Sequence, residues 1–157
     1  MFLLILAFAG SLRLFHFTAP ITDLHAWRQL DTLAMKTGDI LWQKTHSSTP
    51  DDIKNHPALQ GVTLPPRLGQ PGRTFIGTLT TKTLVIAGEG GVHRNEAGER
   101  VALLRAYDKV TGADIGAVEM PDKQTGSPMT YMINGKQYIV VAVSGATGAQ
   151  LIAYALP

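Results

Sequence analysis

The stretch Leu104 to Pro157 decides the fold. It reads LRAYDKVTGADIGAVEMP (104–121), then TGSPMTYMINGKQYIVVAVSG (125–145), then LIAYALP (151–157). Short strand-like runs alternate with Thr-Gly and Asn-Gly turns. The pattern has an echo upstream. MKTGDILWQ at Met35 to Gln43 matches YDKVTGADI at Tyr107 to Ile115, and laying Thr37-Gly38 on Thr111-Gly112 sets an offset of 74 residues. A strand–turn–strand unit used more than once predicts an all-β repeat protein, a β-propeller. A blade takes roughly 40–50 residues and a closed ring roughly 4–8 blades. The 157 residues therefore amount to a partial ring of about two blades. Closure within one copy is not expected, and an open ring leaves strand edges unpaired.

Working outward, the turns explain themselves. Gly38 supplies the positive φ that its Thr-Gly turn needs. Trp42 is expected to pack between neighbouring blades. Asp108 is expected to stabilise its turn through its side chain. Gly77-Thr-Leu-Thr followed by Lys82-Thr-Leu-Val-Ile-Ala-Gly predicts a hairpin opening the next blade. Asn134-Gly135 predicts a type I′ hairpin. Tyr138 to Val143 is a continuous apolar run, which suits a strand buried on both faces. Leu151 to Leu156 would be the third strand of that blade. Between Lys44 and Arg73 lies a polar connection holding five of the nine prolines. A connection of that length often crosses a functional surface. Within it, Thr49 and Pro50 read as the cap and first residue of a short helix.

Composition narrows the function. There are 14 Lys and Arg against 12 Asp and Glu, a net charge of +2, with no adjacent basic residues, so nucleic acid is not an expected partner. Cysteine is absent, which excludes disulfides and thiolate metal sites.

LRAYDKVTG, QTGSPMTY, NGKQYIVVAVSG and LIAYALP together resemble the C-terminal blades of the quinoprotein dehydrogenases, which depend on pyrroloquinoline quinone (PQQ). IKNHPALQG and TKTLVIAGEGG resemble the glucose-dehydrogenase-like branch. The resemblance covers residues 35–157. It implies about two blades of an eight-bladed propeller, with PQQ and Ca²⁺ as the parent family's cofactors. It also implies oxidation of an alcohol or of the anomeric hydroxyl of a sugar, with an Asp as base. The base and most calcium ligands belong to earlier blades. No catalytic and no metal residue is therefore carried over, and cofactor-binding residues stay unassigned. A fragment inactive alone is the expectation; a non-catalytic module pairing its edge strands with a partner is the alternative. The sequence departs from the family at Ala34, where Asp is usual, and at Gly116, where an aromatic is usual.

Residues 1–34 form a separate, membrane-directed segment and loop. FLLILAFA (2–9) is an unbroken apolar run, and Arg13 and His16 interrupt its continuation. It suits an N-terminal hydrophobic helix, as a signal peptide or an anchor. Ala19 to Ala34, with Asp23 and His25-Ala-Trp27-Arg28, resembles the first external loop of integral-membrane, lipid-linked-sugar glycosyltransferases. In that family an acidic residue in this loop lies at the active site, and Asp23 would match it. A remnant of such an enzyme is a further alternative, with a junction near residues 31–35. The partners expected are a membrane, through residues 2–17, and a complementing propeller chain. The location expected is the bacterial periplasm or membrane.

Other chemistry-bearing residues carry weak signals. Asp51-Asp52 is the only adjacent acidic pair and reads as a helix-start pair rather than a metal site. His16, His25, His46, His56 and His93 show no metal-ligand spacing. Gly88-Glu-Gly-Gly91 reads as a turn after a strand, not a phosphate loop.

Overall fold

The computed structural model describes residues 29–69, 76–146 and 148–156. The hydrophobic helix, Asp23, His16 and His25 lie outside the described residues. Among those described, no helix is long and apolar enough to cross a membrane. The described residues form three successive antiparallel sheets. The first is a hairpin of β1 (Gln29–Leu33) and β2 (Ile40–Thr45). The second is a four-stranded blade of β3 (Thr78–Thr80), β4 (Leu84–Gly88), β6 (Arg100–Asp108) and β7 (Asp114–Met120), with the short β5 (His93–Arg94) beside β6. The third is β8 (Met129–Ile133), β9 (Lys136–Gly145) and β10 (Gly148–Ala155), in the order β8-β9-β10.

The offset of 74 holds residue by residue. Thr32 pairs with Trp42 and Leu33 with Ile40. Ala106 pairs with Gly116 and Tyr107 with Asp114, and the register shift falls at the same step in both ladders. The turns match as well. Ala34 N donates to Asp39 O at 2.8 Å and Gly38 N to Ala34 O at 2.7 Å; Asp108 N donates to Ala113 O at 2.8 Å and Gly112 N to Asp108 O at 2.9 Å. A residue with positive φ closes each turn, Gly38 at 78° and Gly112 at 70°. The boundary drawn at residue 34 thus falls in the turn of a hairpin, and the junction expected near 31–35 falls within β1 and that turn.

The turns differ in the side chain that opens each of them. Asp108 Oδ1 accepts from Val110 N, Thr111 N and Thr111 Oγ1 at 2.8–2.9 Å. Hydrogen bonds from Thr111 hold this carboxyl below its ordinary 3.8. Ala34 has no side-chain acceptor to offer at the matching position.

The second and third sheets repeat each other too. Thr80, Val85 and Tyr107 lie side by side across β3, β4 and β6. Thr130, Ile139 and Tyr154 do so across β8, β9 and β10. Lys109 N donates to Thr83 O at 2.8 Å, and Leu156 N donates to Gln137 O at 2.9 Å in the same register. Asn134 and Gly135 both take positive φ, 50° and 77°, as a type I′ turn requires.

The core lies between these two sheets. Ile86, Leu104 and Met120 pack against Ile139, Val141 and Val143. β9 is buried on one face only: Ile139, Val141 and Val143 are buried, while Val140 and Ala142 are half-buried. The expectation of burial on both faces is corrected here, because among the described residues no sheet covers the far side. That face carries Met129 and Leu151, both exposed, and a stacked Tyr131–Tyr138 pair with ring centroids 5.2 Å apart.

The cap assigned to Thr49 is also corrected. The helix α1 (Asp51–Lys54) has Pro50 at its N-cap and no side-chain cap bond. Thr49 is instead fully buried and clasps the long connection. Its Oγ1 donates to Pro65 O at 2.9 Å and accepts from Leu68 N at 3.1 Å. Two chain segments must meet over one hydroxyl, so the Thr is buried rather than aimed at a helix end.

Candidate functional site

The connection after β2 and the loop after β4 meet between the first hairpin and the four-stranded blade. Their junction holds the most polar interior of the described residues. β4 ends at Gly88, and the next residue, Glu89, turns its carboxylate inward, where it is 1% exposed. Oε1 accepts from Ser48 N at 2.8 Å, Ser48 Oγ at 2.9 Å, Arg105 Nη2 at 3.1 Å and Arg105 Nε at 3.2 Å. Oε2 accepts from Leu103 N at 3.1 Å and lies 3.3 Å from His93 Nδ1. A carboxylate removed from water needs such compensation, because its burial alone costs several kcal/mol, roughly, per ion.

His46 extends the network. Its Nε2 lies 3.1 Å from Gly88 O and its Nδ1 2.9 Å from Tyr107 Oη. A carbonyl can only accept, so Nε2 carries the proton and Tyr107 donates to Nδ1. Titration agrees with that assignment. Burial lowers the His46 pKa from 6.5, which keeps the ring neutral. Burial pushes the Tyr107 hydroxyl up to about 12, which keeps it a donor.

Beside it, Trp42 fastens the hairpin to the blade. Its Nε1 donates to Lys109 O at 3.0 Å, and its ring lies 6.2 Å from that of Tyr107. Lys44 Nζ reaches Gly112 O at 2.7 Å and Asp114 Oδ2 at 3.0 Å, and Arg67 Nη1 reaches Asp114 Oδ1 at 2.8 Å. Burial pushes the Asp114 carboxyl up, but its bonds to Arg67 and Lys44 outweigh this and hold it below 3.8. Trp42 thus stands between neighbouring sheets, as its sequence position suggested.

The histidines and the glycine-rich turn were read separately in the sequence. The fold joins Glu89 of that turn with His93 and with Arg105, 16 residues on, and sets His46 against Tyr107, 61 residues on. No spacing rule links them; the one local sign is an acid flanked by glycines where a strand ends. Asp51 and His56 stay apart from this group. Asp51 Oδ2 accepts from Arg94 N at 3.1 Å, and His56 Nδ1 accepts from Ala58 N at 3.2 Å at the start of a 3-10 turn (Pro57–Leu59). Asp52 lies in the first turn of α1.

The network can position loops, but it has little left for a ligand. Calcium draws on several free carboxylate or amide oxygens. Glu89 has both oxygens committed, and among the described residues no three His, Asp or Glu side chains converge. Arg105 is committed to Glu89, and Lys44 and Arg67 to Asp114. These residues do not fit the calcium ion or the anionic quinone that the resemblance implies, and no chemical step is assigned to them through either.

A pH effect follows from His46. Its pKa is lower in the fold than in the unfolded chain, so below pH 6.5 the unfolded chain takes up the proton first. Stability is fully present above 6.5 and falls as pH drops from there towards the folded pKa. Asp108 and Asp114, also lowered, add a loss of the same sign only below 3.8. Denaturant midpoints at pH 7.5 and 5.5 should differ in the native chain and converge in His46→Gln, which keeps one donor and one acceptor without a titrating ring. Equal shifts in both chains would refute the assignment.

Comparison with known proteins places the geometry. The family model for the PQQ glucose/ethanol/alcohol dehydrogenase β-propeller domain matches residues 14–139, beginning ahead of residue 35. Quinoprotein glucose dehydrogenase A of Acinetobacter calcoaceticus is 30% identical over 138 residues, covering 84% of this chain and 16% of that protein. A probable quinate dehydrogenase (quinone) of Xanthomonas campestris pv. juglandis is 34% identical over 139 residues, covering 82% of the chain and 15% of that protein. Quinoprotein glucose dehydrogenase of Escherichia coli (strain K12) is 31% identical over 140 residues, with coverages of 84% and 16%. The chain thus spans about a sixth of the length of these relatives. No solved structure matches it.

Proposed function

We infer the function from one premise: the chain belongs to the PQQ glucose/ethanol/alcohol dehydrogenase β-propeller family. It supplies consecutive blades to a dehydrogenase that oxidises a sugar or alcohol CH–OH group, and it performs no dehydrogenation alone. The observation that carries this reading is a four-stranded blade flanked on both sides by partial blades in matching register. Such an arrangement is a segment of a ring, not a closed unit. Among the described residues β10 pairs along one edge only, and the far face of its sheet exposes Met129 and Leu151. A complementing propeller chain is the partner that would cover both. The working location is the periplasm or the membrane surface, with residues 2–17 as the contact. In this role the Glu89 network holds the loops at one end of the blades in place, and the quinone and calcium are held by blades elsewhere in the ring.

The test is dye reduction by the purified chain with glucose or quinate, after addition of PQQ and Ca²⁺. The expected rate is that of the blank. Turnover above the blank would overturn the reading.

A further inference from the structure

Gly116 occupies the register position of Trp42, 74 residues on. The two positions face matching surroundings. Trp42 lies over Gly112, where an added Cβ would come within 2.7 Å of its ring, and it donates Nε1–H to Lys109 O beside Tyr107. On the next sheet, Tyr154 holds the register of Tyr107, and Leu156 holds that of Lys109. At Gly116 an added Cβ would meet nothing within 4 Å. A cleft of about 700 Å³ opens there between the two sheets. Its walls include Leu84, Leu104, Ile115, Ile139 and Tyr154.

We propose that this cleft binds a small, planar heteroaromatic molecule of the indole class. The chain carries its own template for the ligand, since an indole ring fills the corresponding slot between the first hairpin and the blade. The walls are mainly aliphatic, which favours a flat apolar ring. The Leu156 carbonyl stands in register with the one that accepts from Trp42, which gives a ring N–H its partner. The wall also includes two cations, Arg105, which is committed to Glu89, and Lys82, which is exposed to solvent. The site shares Arg105 with the Glu89 network but does not depend on the dehydrogenase reading.

The test is titration of the full chain with indole, followed by methyl NMR. Saturable binding is expected at ~0.1–1 mM for a molecule of this size. The shifted methyls should be those of Leu84, Leu104, Ile115 and Ile139. Gly116→Trp should weaken binding at least tenfold, and naphthalene, lacking the N–H, should bind several-fold more weakly than indole. The methyl map of the native chain decides the location even if the variant does not fold. Absent saturation, shifts at other methyls, or unchanged binding by a folded Gly116→Trp would overturn the site. Equal affinity for naphthalene would overturn the role of the N–H.

Discussion

Glu89→Ala is expected to destabilise the chain by about 3–5 kcal/mol, read from urea denaturation followed by circular dichroism. The cost comes from what is left behind. Arg105 is 9% exposed and would keep its charge without a partner. Ser48 N and Leu103 N would lose their acceptor as well. Glu89→Gln should cost less, since one oxygen still accepts while the amide nitrogen faces the Leu103 N–H. The double variant Glu89→Met with Arg105→Met should recover much of the loss, because an apolar pair of similar volume has no charge to bury. A loss below about 1 kcal/mol in Glu89→Ala, the size of a surface substitution, would show that the cluster is not closed to water.

Trp42→Ala is expected to cost about 2–4 kcal/mol, somewhat under the full core value because the residue is only half-buried. It removes the ring that lies on Gly112 and the Nε1–H bond to Lys109 O. It also takes the aromatic neighbour from Tyr107. Trp42→Phe should keep most of the packing and lose about 1 kcal/mol with the hydrogen bond. Circular dichroism is the proper readout, since Trp27 would be the one tryptophan left in the variants. If Trp42→Ala and Trp42→Phe unfold at the native midpoint, the hairpin and the blade are not fastened through this residue. Gly112→Ala should be destabilising by another route, because its φ is +70° and its Cβ would strike the Trp42 ring. Gly116→Ala, in open space, should not share that cost.

Two departures from the repeat show how differently a sequence gap can read in three dimensions. Ala34 in place of Asp leaves a turn whose backbone bonds match those around Asp108. There the backbone pattern and Gly38 suffice, and the missing carboxylate changes no path of the chain. Gly116 in place of an aromatic also leaves the strand pairing unchanged, but it leaves a cleft. The difference is direction: the residue-34 side chain would serve its own turn, while the residue-116 side chain would have served the neighbouring sheet.

Whereas β1 fell in a stretch read as a loop, most strands of the second and third sheets, the type I′ turn, the repeat offset and the family were legible in the sequence. Each is written locally, by alternation, by glycines that permit positive φ, or by recurring motifs. Thr49 was misread because a Ser or Thr before a helix is a local signal, and the proline backbone 16 residues away claimed its hydroxyl. The one-sided burial of β9 was likewise beyond a local pattern, since it depends on which sheet faces which. Only the tertiary structure assembled His46, Glu89, His93 and Arg105, and only it showed the cleft beside Gly116. Buried polar groups are satisfied by whatever donors the packing brings near, and cavities are shaped by facing surfaces. Neither leaves a spacing in the chain, because the partners are chosen by the stacking of sheets and not by distance along the sequence.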